Sequence, residues 1–191
     1  MVKNKRYLVI DTETGGLNHE KNSILSIAGV LWEPKKKIEP IFDFYVKESY
    51  INVEEEALKV NKIDMNRVHT ADEPYIVVKK IQNALNEHLG KDRKPIQLVG
   101  HNVAFDIGFT KRLYRFAGLE NDYNKDFRER AIDTCSILEF LMLSGKVNGN
   151  RASADVLFRT GGVTIESKDR HTALGDAVAT AYSLESLINK F

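Results

Sequence analysis

Asp11 and Glu13 follow the apolar run Tyr7-Leu8-Val9-Ile10 without a break. Side chains of an extended strand alternate between faces, so residues two apart project from the same side and these two carboxylates stand together. Adjacent like charges repel, and a hard cation such as Mg²⁺ or Mn²⁺ compensates a site built only of oxygens. Asp-Thr-Glu-Thr-Gly-Gly also describes a simple solvated turn, and a lone D-x-E does not separate the two readings. A second constellation is His101-Asn102-Val103-Ala104-Phe105-Asp106. With Asn102 as N-cap, Asp106 shares a helical stripe with Phe109, Leu113 and Phe116, and that stripe should face the core. Burying a carboxylate there is costly unless it is paired or binds metal, and Arg112 or Arg115 could supply the pair instead. The third constellation is His171-Thr172-Ala173-Leu174-Gly175-Asp176. In one unbroken helix, at about 100° per residue, His171 and Asp176 would point roughly 140° apart. A shared site therefore needs Thr172 as an N-cap, with His171 in the preceding loop and Asp176 in the first turn. Gly175 would let that turn approach a strand or ligand closely. An exposed histidine and an acid favourably placed near a helix N-terminus is the plainer alternative.

The elements that must carry these residues can be read from the apolar pattern. Residues 5 to 11, 24 to 32 and 38 to 46 read as strands, the last two joined across Glu33-Pro34-Lys35-Lys36-Lys37, and 96 to 100 as a fourth. Helices are expected from Glu54 to Val60, Tyr75 to Leu89, Val103 to Phe116, Thr134 to Leu143, after Arg151, and from Ala173 to Lys190. A strand meander followed by strands alternating with helices implies an α/β fold with a mixed sheet covered by helices. Segments 119 to 130 and 144 to 151 read as polar, mobile loops. A chain of 191 residues, 42% hydrophobic, suits a single domain over residues 1–191. The lone Cys135 excludes an internal disulfide and reads as a small core residue, consistent with a cytoplasmic location. From Met1 a few basic residues lead into an apolar run too short for a signal peptide or membrane span. A net charge of +1 argues against a broad basic surface, so any nucleic-acid contact should be local.

In this order, the motifs resemble those of the DnaQ-like exonucleases. These form the histidine-containing branch of the DEDD superfamily, which includes the proofreading epsilon subunit of bacterial DNA polymerase III. The resemblance is carried by Val9 to Leu17, Ala57 to Ile63, Gly100 to Asp106, Ile132-Asp133-Thr134 and His171 to Ala177. It implies a ribonuclease H-like fold, with a five-stranded mixed sheet flanked by helices. It also implies metal ligands at Asp11, Glu13, Asp106 and Asp176 for two Mg²⁺ or Mn²⁺ ions, and a general base at His171. Thr14, Gly15, Leu17, Asn102 and Phe105 are implied contacts to the terminal nucleotides. Two positions depart from the usual pattern: Gly16 stands where a second threonine is common, and Ser26 where a glutamate often is. Neither departure removes an implied ligand.

The activity implied is metal-dependent 3′-to-5′ hydrolysis of nucleic-acid 3′ ends, with DNA as substrate and nucleoside 5′-monophosphates as product. An exoribonuclease is the alternative within the same chemistry, and a catalytically silent binding or assembly module is the alternative outside it. The chain ends almost with its last helix, so the proofreading subunit's polymerase-engaging extension is not expected, and a polymerase or repair partner is left open. Asp133 reads as a helix cap and not as a fifth ligand. Lys35-Lys36-Lys37 reads as a solvated turn, with Lys111, Arg112 and Arg115 as better candidates for phosphate contact. His19, His69, His88 and His101 are expected to be structural or exposed.

Overall fold

The computed structural model describes residues 5–61 and 63–191; the basic stretch at Met1 and Lys62 of the Ala57-to-Ile63 motif lie outside the described residues. Strand β1 (Tyr7–Thr14) pairs antiparallel with β2 (Ile24–Glu33), which pairs antiparallel with β3 (Lys37–Tyr45). Parallel to β1 runs β4 (Gln97–Gly100), and parallel to β4 runs the two-residue β5 (Ile132–Asp133). The strand order β3-β2-β1-β4-β5 is the expected five-stranded mixed sheet. Pairing with β2 carries β1 past Asp11 to Thr14, so both acids lie within the strand.

Leu8, Val9 and Ile10 are fully buried, as a central strand covered on both faces requires. Leu8 and Ile10 join the layer formed by α3 (Pro74–Leu89) and α4 (Val103–Phe116). Val9 points the other way, to Ala177, Ala181 and Leu184 of α8 (Ala173–Lys190). Alternation then places Asp11 and Glu13 on the α8 face. A second apolar cluster packs α6 (Thr134–Leu143) and α7 (Ala154–Gly161) against α8 through Leu138, Leu157, Phe158 and Leu187.

Several expectations need correction. Segment 119–130 is not a mobile polar loop. It forms a 3₁₀ turn (Glu120–Asp122) and the short helix α5 (Tyr123–Asp126), because Tyr123 and Phe127 bury their rings 5.6 and 5.7 Å from that of Tyr114. Asp126, also buried, accepts from the Tyr114 hydroxyl at 2.8 Å and the Gln82 amide at 2.9 Å and pairs with Arg93. Helix α1 (Glu55–Asn61) lies one residue beyond its expected span, and α2 (Met65–His69) was not expected. Five residues are too few to show a helical period, although Asp64 caps α2 by accepting from the Asn66 N–H at 2.9 Å. Phe116, placed on the core stripe, is 44% exposed at the end of α4 and lies under the Arg112 guanidinium.

Candidate active site

Strand β4 pairs with β1 only as far as Val9, so the C-terminal half of β1 has an open edge on that side. Asp106, in the first turn of α4, fills part of it: its Oδ1 accepts from the Thr12 backbone N–H at 2.9 Å and from the Thr12 hydroxyl at 2.8 Å. Both bonds fall on one oxygen, and the side chain is buried. The ion pair weighed for Asp106 does not form. Arg112 is buried and clamps both oxygens of buried Glu48 at 2.8 Å, and Arg115 pairs with Glu20 at 2.9 Å. Arg112 is thus committed to Glu48 and does not serve phosphate as expected, whereas the Arg115 pair lies at the surface, and Lys111 lies over the Tyr123 ring.

Helix α8 starts at Thr172, whose hydroxyl accepts from the Gly175 N–H at 3.1 Å, as expected of an N-cap. His171 precedes it in the left-handed region, with φ of 64°, and Asp176 lies in the first turn. Gly175 is required for a reason other than the one expected: a Cβ there would lie 2.0 Å from the Asp169 carbonyl oxygen, so the glycine admits its own preceding loop. Oxygens of Asp11, Glu13 and Asp176 all lie within 4.8 Å of one another. Asp106 stands beside this triple and outside it, because α4 and α8 cover opposite faces of the sheet.

The electrostatics show what the cluster lacks. Burial, followed by repulsion from Asp106, Glu13 and Asp176, raises the pKa of Asp11 well above the carboxylate range. Glu13 is pushed to about 8 by burial and by Asp176 and Asp106. Burial lifts Asp106 to about 7 against the Thr12 hydrogen bonds, and lifts Asp176 to about 6 against the opposing charge of Arg170. Asp176 Oδ1 is buried with no hydrogen-bond partner among the described residues. Four crowded carboxylates and an unsatisfied buried acceptor fit a hard divalent cation.

Arg170 was not anticipated. Its Nη1 donates to Asp176 Oδ2, and its Nη2 donates to Asp155 at 2.9 Å. Nη1 also stands 3.3 Å from His171 Nδ1, and since a guanidinium only donates, the lone pair of that imidazole nitrogen is turned toward it. Nothing in the spacing of a loop residue next to a histidine marks it as part of a site.

The expected nucleotide contacts divide in two. The Thr14 hydroxyl donates to the Gly16 carbonyl, and the Thr14 carbonyl accepts from Asn61 Nδ2 at 3.1 Å. The Gly15 N–H donates to Ser23, and its carbonyl accepts from Glu54, both at 2.7 Å. These groups are engaged in building the turn. Gly15 is needed because a Cβ would lie 2.3 Å from the Asn52 carbonyl oxygen. Leu17, by contrast, is 85% exposed, and Phe105 is half-buried against Phe109 at 4.9 Å. Asn102 is exposed in a left-handed conformation (φ of 59°) and makes no side-chain cap. Asp133 replaces it, accepting from the Asn102 and Val103 N–H groups and also from those of Cys135 and Ser136 at the start of α6. His101, as expected, is structural, held between Thr134 and the Ala152 carbonyl.

A mixed sheet with an acidic cluster at the end of its central strand, closed by an acid in the first turn of a last helix, is an RNase H-like fold. A family profile described as an exonuclease (RNase_T) matches residues 8–184, and the chain belongs to that family, within the DEDD exonuclease superfamily. Ribonuclease T of Yersinia enterocolitica is 30% identical over 194 residues, covering 96% of this chain and 85% of that protein. A PolC-type DNA polymerase III of Staphylococcus saprophyticus is 26% identical over 189 residues, or 99% of this chain, which spans only 12% of the polymerase. Among solved structures, cell-death related nuclease 4 matches with a TM-score of 0.79 at 20% identity, over 98% of this chain and 64% of that one. Escherichia coli exonuclease I in complex with a dT13 oligonucleotide matches with a TM-score of 0.74 at 15% identity, over 97% of this chain and 41% of that one. These two likenesses concern the fold. No described helix is long and apolar enough to cross a membrane.

Proposed function

We propose that this chain removes nucleotides from DNA 3′ ends, single-stranded or frayed, and releases nucleoside 5′-monophosphates. The observation that carries the reading is the half-buried Asp11, Glu13 and Asp176 triple with its unsatisfied Asp176 oxygen. Those three and Asp106 would hold two Mg²⁺ or Mn²⁺ ions. When bound, such ions supply charge neutralisation at the attacking and leaving oxygens and lower the cost of deprotonating water. His171 takes the proton from the attacking water, for which its ring must first turn Nδ1 away from Arg170 within its loop. Leu17 and Phe105 offer apolar surface to the terminal bases. With its single cysteine, the chain suits a reducing cytoplasm.

A second reading, an exoribonuclease, is favoured by the match to ribonuclease T over most of that protein's length. A time course on 5′-labelled single-stranded DNA, duplex DNA with a mismatched 3′ end, and RNA separates the two. We expect stepwise shortening of the single strand and survival of a 3′-blocked strand. Faster loss of RNA moves the substrate to RNA, and cleavage of a closed circle refutes an exonuclease.

A further inference from the structure

Arg170 lies in the loop before α8, with its side chain 20% exposed, and the proposed chemistry does not use it. Its guanidinium makes four contacts of known kind. Nη1 donates to Asp176 Oδ2 and faces His171 Nδ1 at 3.3 Å, Nη2 donates to Asp155 at 2.9 Å, and the guanidinium carbon sits 5.4 Å from the centre of the Phe158 ring. Asp155 and Phe158 both belong to α7, so one side of the guanidinium is tethered to that helix while the other engages the site. The two oxygens of Asp176 are thereby unequal: Oδ2 is taken by Arg170, and Oδ1 is buried without a hydrogen-bond partner among the described residues.

We propose that Arg170 is a positioning residue of the metal site: it holds Asp176 by Oδ2 so that Oδ1 is the oxygen offered to a divalent cation, and it links that carboxylate to His171. Hydrogen bonds to ligating carboxylates orient them, and their loss costs metal affinity even though the removed group never touches the metal. A fork suits this task better than a point charge, because two of its nitrogens can bind Asp155 and Asp176 at once. A purely structural role, fastening the loop of residues 163–172 to α7, is the competing explanation. It requires the contact to Asp155, whose side chain is 77% exposed, and gives no reason for the contact to Asp176.

The proposal rests on the metal-site reading above, so the test measures metal binding without substrate. Mn²⁺ is titrated calorimetrically into chelator-treated wild type, Arg170→Ala, Arg170→Lys and Asp176→Asn, and each is also melted thermally. Arg170→Ala should weaken Mn²⁺ binding by about 10- to 100-fold, with Arg170→Lys recovering only part of the loss. Asp176→Asn should weaken it at least as much. Wild-type affinity in Arg170→Ala, with or without a lower melting temperature, overturns the proposal and leaves a loop fastener. Tighter binding overturns it too, because the guanidinium would then be competing with the metal. If Asp176→Asn also binds Mn²⁺ normally, the metal-site reading itself has failed.

Discussion

Replacing Glu13 with glutamine should stabilise the metal-free protein, and the gain should grow with pH. Glu13 titrates near 8 in the folded chain against 4.5 for an unperturbed glutamate. For an acid whose folded pKa is raised, the folded state keeps its proton where the unfolded chain has released it. The associated stability is thus complete below about 4.5 and is lost as pH rises through 8. At about 1.36 kcal/mol per pH unit, that interval corresponds to a ceiling of about 5 kcal/mol. Glu13 is only half-buried, and water screens part of the repulsion, so the measured difference should be about 1–3 kcal/mol. Asp106 and Asp176 have raised values of about 7 and about 6, so the wild type without metal should lose stability over the same range. The assay is urea unfolding of chelator-treated wild type and Glu13→Gln at intervals from pH 5 to 9, repeated with Mn²⁺. The curves should already differ at pH 5 and diverge further until about pH 8, and Mn²⁺ should stabilise the wild type more than the variant, since binding to the folded state adds to its stability. Parallel curves without metal, or equal gains from Mn²⁺, would refute the reasoning, because Glu13 would then be neither repelled nor a ligand.

Nuclease activity should vanish on chelation and return with Mg²⁺ or Mn²⁺, as an all-oxygen site requires; full turnover by metal-free protein would reject the site. Arg112→Ala should destabilise the fold by about 3–5 kcal/mol in urea unfolding, since it strands the buried charge of Glu48. A loss below about 1 kcal/mol would show that this pair is not a buried one. Because Arg112 also donates to the His19 and Glu20 carbonyls of the loop bearing Leu17, a folded variant should show a raised KM. His171→Ala should bind Mn²⁺ as the wild type does yet lose about 10²- to 10⁴-fold in turnover, together with the acid limb of the pH-rate profile. Near wild-type turnover across the pH range would remove it as the base.

How far the site could be read from sequence depended on how local each cause was. Helices α4, α6 and α8 begin and end where expected, because each carries an apolar stripe several turns long, and α6 and α8 also follow a residue that caps them. Asp11 and Glu13 were legible because a period of two needs nothing beyond the strand. Asp133 was half legible. Its cap on α6 is two residues away, but its bonds to the start of α4 span about 30 residues of sequence and exist only because β4 and β5 lie parallel. The packing of the Thr14-Gly15 turn was hidden for a similar reason. A glycine signals close approach without naming the neighbour, and here the neighbour is the Asn52 backbone. Arg112 was weighed as a partner for Asp106 or for phosphate, and its actual partner was not legible because Glu48 sits at the far end of the meander. Arg170 lies in a loop with no period at all, and only the folded chain brings it to Asp176.

Two acids of the site arrive on helices from opposite faces of the sheet, and each divides its oxygens in the same way. Asp106 gives Oδ1 to Thr12 twice, and Asp176 gives Oδ2 to Arg170. One oxygen of each is thus committed to the protein, which fixes the side chain; for Asp176 the other oxygen is buried with no hydrogen-bond partner among the described residues. The strand acids Asp11 and Glu13 need no such fastening, because a paired strand already sets their direction. The helix-borne acids are held by donors outside the cluster, while burial raises the pKa of all four. A cluster built in this way cannot relieve its charge by moving apart. Its remaining means of relief are to take up protons, as the raised pKa values show, or to take up a cation.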